Sequence, residues 1–126
     1  MKSPALTKEQ ARRIREGVEL FNRGEYFDCH ELLEAIWLET TGETKLFLQG
    51  LIQLAVSYHH LRRKNFIGSG RLMRSSIQKL SRPTESTRWI DSEDLVRTLA
   101  AQLEEIESRR ARPDLPAPKL QFLGEL

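Results

Sequence analysis

Leu46-Phe47-Leu48-Gln49-Gly50-Leu51-Ile52-Gln53-Leu54-Ala55-Val56-Ser57-Tyr58-His59-His60-Leu61 decides the fold. The stretch has no proline, and its apolar residues fall on most sides of a helical wheel. A helix that is apolar nearly all round is stable only with neighbours on several sides, so this one belongs at the centre of a bundle. Gln49, Gln53, His59 and His60 interrupt it, which marks a buried helix of a globular protein rather than a membrane span. The pattern predicts a helix from Thr44 to Lys64.

The segments on either side supply the partners. Upstream, Thr7 and Gln10 have the capping-box spacing, and Ile14, Val18 and Phe21 form one stripe of a helix from Lys8 to Arg23, ended by Gly24. A second helix follows from Tyr26 to Thr40, and Thr41-Gly42 reads as a turn. Downstream, Asn65 caps a fourth helix through Leu80, with Leu72, Met73, Ile77 and Leu80 facing inward. Ser81-Arg82-Pro83-Thr84 breaks it, and Trp89 in the linker is placed to plug the end of the bundle. A fifth helix runs from Asp91 to Arg110, with Ser92 as its cap and Leu95, Leu99, Leu103 and Ile106 as its stripe. No segment alternates with the period of a strand. The fold expected is all-α: a compact bundle of about five helices built from antiparallel hairpins, one domain over residues 1–112. The tail, 113–126, contains Pro113, Pro116 and Pro118 and is no continuous helix; Leu120, Phe122 and Leu123 suit it to docking on this body or on a partner.

A faint repeat runs through the middle. Shifted by 40 residues, Arg23-Gly24-Glu25-Tyr26 overlays Arg63-Lys64-Asn65-Phe66, and Leu32-Leu33 overlays Leu72-Met73. Each unit is helix, short turn, helix. Two units are too few for a solenoid, so a compact bundle is expected.

The formal net charge of +2 does not fit a general nucleic-acid binder, and the clusters Arg12-Arg13, Arg62-Arg63-Lys64 and Arg109-Arg110 are short. A weaker RNA-contact reading would use Arg62, Arg63, Lys64, Arg71 and Arg74. The single cysteine, Cys29, permits no internal disulfide and fits a reducing compartment. Its expected role is a small buried residue. Met1 to Lys8 contains no apolar run of the signal-peptide kind. A cytoplasmic protein without membrane contact is expected.

The chemistry-bearing stretch is Gly24-Glu25-Tyr26-Phe27-Asp28-Cys29-His30-Glu31-Leu32-Leu33-Glu34-Ala35-Ile36-Trp37. His30 and Glu34 stand about 40° apart on the wheel, with Tyr26, Leu33 and Trp37 within about 60° of His30. That company predicts that the pair is buried or lines a cleft. Gln49, Gln53 and His60 form a polar line on the third helix, and an antiparallel hairpin would turn it toward His30 and Glu34. Three readings follow: a hydrogen-bonded polar core, a cleft for a small polar ligand or peptide, or a metal or catalytic site. In the last, His30, Glu34 and His60 are the candidate ligands. The pattern His30-Glu31-x-x-Glu34 is not the zinc-protease one, because a glutamate stands where that motif has its second histidine. The leading expectation is a non-enzymatic binding or interaction module for a protein or small molecule, with no cofactor; a homo-oligomer is compatible with it. The alternative is a metal-dependent hydrolase with His30 and His60 as ligands of a divalent metal and Glu31 or Glu34 as base. Its discriminating feature is Glu31: if exposed, it leaves one carboxylate in the cluster.

These residues resemble a bacterial and archaeal family known as domain of unknown function 309. The resemblance rests on Gly24-x-Tyr26-Phe27-x-x-His30-Glu31-x-Leu33-Glu34-x-x-Trp37. It continues in Leu48-Gln49-Gly50-Leu51-Ile52-Gln53-Leu54-Ala55 and in His60 followed by Asn65. It implies a small all-helical bundle and implies no reaction, because the family's activity is not established. His30, Glu31, Glu34, Trp37, Gln49, Gln53, His60 and Asn65 fall in its signature positions. The departure is Lys64, where the family often has glycine, and it bears on the local turn.

Overall fold

The computed structural model describes residues 6–124. The reading of Met1 to Ala5, and Glu125 and Leu126 of the tail, lie outside them. The order is α1 (Lys8–Asn22), α2 (Tyr26–Trp37), α3 (Gly42–Arg62), α4 (Phe66–Leu80), a 3-10 turn (Ser86–Trp89) and α5 (Ser92–Glu107). The fold is all-α. Ile90 and Phe122 form an isolated antiparallel bridge. No helix among the described residues is long and apolar enough to cross a membrane.

Each helix packs on its neighbour in sequence, α1 on α2, α2 on α3, α3 on α4 and α4 on α5. The apolar girdle of α3 explains its central place: Phe47, Leu48, Leu51, Leu54, Ala55, Tyr58 and Leu61 are all buried. The outer helices bury one stripe each, Ile14, Val18 and Phe21 from α1 and Leu95, Leu99, Leu103 and Ile106 from α5. Trp89 closes the end of the bundle with its ring edge-on to Phe47, centroids 5.4 Å apart.

The ends follow backbone chemistry. Thr7 and Gln10 form the expected reciprocal capping box. Asn65 caps α4, its Oδ1 accepting from the Gly68 N–H at 2.9 Å. Two expectations are corrected. Asp91, not Ser92, caps α5, because its carboxylate reaches the Asp94 N–H; the Ser92 hydroxyl turns back to the Thr87 carbonyl. Also, α2 ends at Trp37 and α3 begins at Gly42, whose φ of +64° lets the chain swing directly into the helix, so Gly42 is no longer part of a turn.

The repeat is present in the backbone. After α1, the Gly24 N–H donates to the Phe21 carbonyl and the Glu25 N–H to that of Leu20, both at 2.9 Å. After α3, Lys64 donates to Leu61 at 2.9 Å and Asn65 to His60 at 2.8 Å. Both are the 5→2 and 6→1 bonds of a Schellman turn, which needs a left-handed residue. Gly24 supplies it at φ +82° and Lys64 at φ +65°.

The α3–α4 contact is built from small residues. Met73 and Leu80 of the expected inward stripe are buried and Ile77 packs against the core, but Leu72 is only half-buried, and Ser69, Gly70 and Ser76 are buried in addition. The Ser76 hydroxyl donates to the Gly50 carbonyl and the Ser57 hydroxyl to that of Ser69, each at 2.7 Å. Small side chains that bond the facing backbone let two helices approach closely and leave no buried hydroxyl unpaired.

The tail lies extended on this body. Ala111 and Leu120 are buried. The Arg62 guanidinium lies over the rings of Tyr26 and Tyr58 and donates to the Pro113 carbonyl at 2.9 Å. Gln102 Nε2 donates to the Pro116 carbonyl at 2.9 Å, while its Oε1 accepts from the Tyr58 hydroxyl. Asn22 brackets Leu120, its Nδ2 donating to the carbonyl and its Oδ1 accepting from the N–H, both at 2.8 Å.

Candidate functional site

The His30 motif rides on α2, whose inward stripe is Tyr26, Cys29, Leu33 and Ile36. His30 and Glu34 sit on the flank of that stripe, next to α3. Their side chains meet, His30 Nε2 to Glu34 Oε2 at 2.9 Å, yet they are 26% and 53% exposed. Of the two expectations, a buried pair or a cleft-lining one, this rules out full burial. The nearness of Tyr26, Leu33 and Trp37 on the wheel holds, but burial is confined to the stripe Tyr26, Cys29, Leu33 and Ile36, and His30 and Glu34 lie on its edge. Glu31 is fully on the outside.

Around this pair, aromatic and imidazole rings link α2 to α3. Phe27 lies 5.7 Å from the His30 ring and 5.8 Å from the His59 ring, and His59 lies 6.1 Å from His60. Lys45 Nζ sits 4.2 Å above the Trp37 ring, a cation–π contact between the same two helices. At the far end, Asn65 Nδ2 meets His60 Nδ1 at 3.3 Å. An amide N–H can only donate, so this contact takes the His60 tautomer with its proton on Nε2. His60 and Asn65 thereby brace the α3–α4 turn.

The eight predicted residues are therefore only partly brought together. His30 pairs with Glu34, and His60 with Asn65. Gln49, Gln53 and Trp37 are half-buried on the same α2–α3 side, and no hydrogen bond among the described residues joins the glutamines to His30 or Glu34. Three buried polar atoms lack a partner: His30 Nδ1, Trp37 Nε1 and Gln53 Oε1. All three belong to residues singled out by the motif. Among the described residues no group of three or more His, Cys, Asp or Glu is arranged to hold a metal, so His30, Glu34 and His60 do not form a ligand set here.

Electrostatics narrow the chemistry. Burial pushes the Cys29 thiol up to about 12, so it stays protonated and unreactive beside the histidine. Burial, reinforced by Arg63, His60 and His30, lowers the pKa of His59 and favours its neutral ring. Burial raises the Tyr58 hydroxyl, with Tyr26 adding to it and Arg62 opposing. Of the basic residues once grouped for RNA contact, Arg62 clamps the tail and Arg74 holds Glu107 at 2.6 and 2.7 Å. The residues that wheel reasoning missed are Phe27 and Lys45. Phe27 was legible as an exposed aromatic at α2's start; Lys45 becomes relevant only once α3 is docked.

The turn, the His30–Glu34 pair and the His60–Asn65 brace all lie within one stretch that matches a known family. Residues 14–72 match the model of the family described as a domain of unknown function, DUF309. The match spans α1 to the first half of α4 and so contains the repeat and every signature residue. The chain is also similar to the uncharacterized protein YpuF of Bacillus subtilis strain 168, 35% identical over 104 residues. That alignment covers 80% of this chain and 60% of YpuF, so the chain spans about three-fifths of its relative's length.

Proposed function

We propose that this DUF309 chain is a non-enzymatic binding module whose α2–α3 face takes a small polar ligand, with His30, Trp37 and Gln53 as the contacting groups. The observation that carries this reading is the set of three buried, unpartnered polar atoms, two on α2 and one on α3. A buried donor or acceptor without a partner costs about 1–3 kcal/mol, and folded proteins keep few of them. Three of them on two adjoining helices, two ring nitrogens and one amide oxygen, suit a ligand that both donates and accepts. The exposure of Glu31 leaves Glu34 as the single carboxylate beside His30, which weakens the hydrolase alternative. The free, buried Cys29 fits a reducing compartment such as the cytoplasm.

The test exploits the cost of an orphaned amide. Gln53→Leu removes an unpaired oxygen, so its thermal midpoint should equal or exceed the wild type's. Amino acids, nucleosides and divalent cations are then screened for an upward shift of that midpoint. A compound that stabilises the wild type, and not Gln53→Leu or His30→Ala, supports the reading. A marked loss of stability in Gln53→Leu shows that the amide is structural and overturns it. Elemental mass spectrometry of untagged protein decides the alternative: near-stoichiometric zinc, iron or manganese, lost in both His30→Ala and His60→Ala, would restore the hydrolase.

A further inference from the structure

The 40-residue repeat places two exposed stripes in equivalent positions. On α2 the outward residues are Phe27, Glu31 and Glu34, and on α4 they are Ile67, Arg71 and Arg74. Each stripe begins with a large exposed apolar side chain and continues with charges of one sign, acidic on α2 and basic on α4. Leu38 extends the acidic stripe by one turn. Phe27, Leu38 and Ile67 are 52%, 68% and 63% exposed, and with Leu123 they are the large hydrophobic residues that the described part of the chain leaves most open to solvent. Exposed apolar groups scattered singly need no explanation, but here they fall on the same two repeat-related faces as the opposite charges.

We infer that a second copy of this chain docks here, laying its α2 stripe parallel to the α4 stripe of the first. With the two stripes parallel and their apolar residues together, the pairs are Phe27 against Ile67, Glu31 against Arg71, Glu34 against Arg74. A groove of about 430 Å³ between α4 and α5, lined by Ile67, Gly70, Arg71 and Arg74 among others, offers space for the incoming Phe27 ring. Pairing either face with its own copy fails on charge. Placing α2 on α2 sets carboxylates against carboxylates, and α4 on α4 sets guanidiniums together. A nucleic acid would meet the arginines but leave the acidic stripe and its two apolar residues without a role. The internal pairs His30–Glu34 and Arg74–Glu107 do not block the contact, because the two stripe residues, Glu34 and Arg74, are themselves more than half exposed, and ion pairs of such side chains are worth little.

This inference is independent of the polar-ligand reading: it uses the outer stripes rather than the three orphaned atoms, and its readout is mass rather than thermal shift. Sedimentation velocity on the whole chain should show a mass above one protomer that grows with concentration and falls with added salt. Glu31→Arg alone sets Arg against Arg71, and Arg71→Glu alone sets Glu against Glu31. Each should weaken self-association at least about tenfold, since like charges across an interface are strongly unfavourable. Mixing the two variants restores Arg-to-Glu pairing at every α2–α4 contact, so the mixture should associate again. Both positions are exposed, and circular dichroism should show unchanged helix content. A wild type that stays monomeric at all concentrations overturns the inference. So do single variants that associate like the wild type, or a mixture that remains monomeric.

Discussion

Lys64 holds a left-handed backbone that its β-carbon resists. It stands at the position equivalent to Gly24, makes the same turn, and adopts φ +65°. A non-glycine residue there carries about 1 kcal/mol of strain. Lys64→Gly should therefore stabilise the protein by up to about 1 kcal/mol in urea denaturation, partly offset by the extra freedom glycine has when unfolded. A loss of stability would show that the lysine side chain does something that compensates. The resemblance marks this residue as a departure that bears on the turn, and the repeat aligns it with a glycine; the positive φ is what turns that departure into strain. The surroundings of His30 were less so. Its spacing to Glu34 was legible, but whether the flank of α2 beyond Leu33 is covered depends on where α1 and α3 lie, which no wheel records.

At the scale of elements, helix count and order could be read from apolar periodicity, because each stripe is long and few residues break it. What periodicity misses is contact through small residues. A Cβ on Gly17 would stand 2.6 Å from Leu33 Cδ2, and Leu33 is fully buried with little space to retreat. Gly17→Ala should therefore cost about 1–3 kcal/mol, although alanine favours helices, because the overpacked α1–α2 contact must spread. A midpoint of denaturation at or above the wild type's would mean that the two helices separate cheaply. The serines of the α3–α4 contact are another case: nothing in their polarity announces burial, and only the facing carbonyls of Gly50 and Ser69 explain it. The caps were readable where side chain and register agree, as at Thr7 and Asn65. At Asp91-Ser92 two good capping residues adjoin, and the choice falls to the loop, which gives Ser92 a carbonyl of its own.

For the whole molecule, the tail is the part least legible in sequence. Its prolines ruled out a helix and its apolar residues suited docking, but its path is set by single hydrogen bonds to Asn22, Arg62 and Gln102. Leu120 is 5% exposed between those anchors. Leu120→Ala should destabilise the fold by about 2–3 kcal/mol, read from a chemical denaturation midpoint. An effect under about 0.5 kcal/mol, the usual bound for surface changes, would show that the tail merely rests on the bundle. The Asn22 bracket also has a bearing on how the chain is made. It joins residues 98 positions apart, whereas every helix otherwise packs on the one before it. During synthesis the hairpins can assemble as they emerge from the ribosome, each on a neighbour already present. The carboxamide of Asn22 must wait, solvated, for a strap that leaves the exit tunnel long after α1 has formed. Until that strap arrives, the Arg62 guanidinium also lacks its Pro113 carbonyl, and the site that buries Leu120 stays open to water.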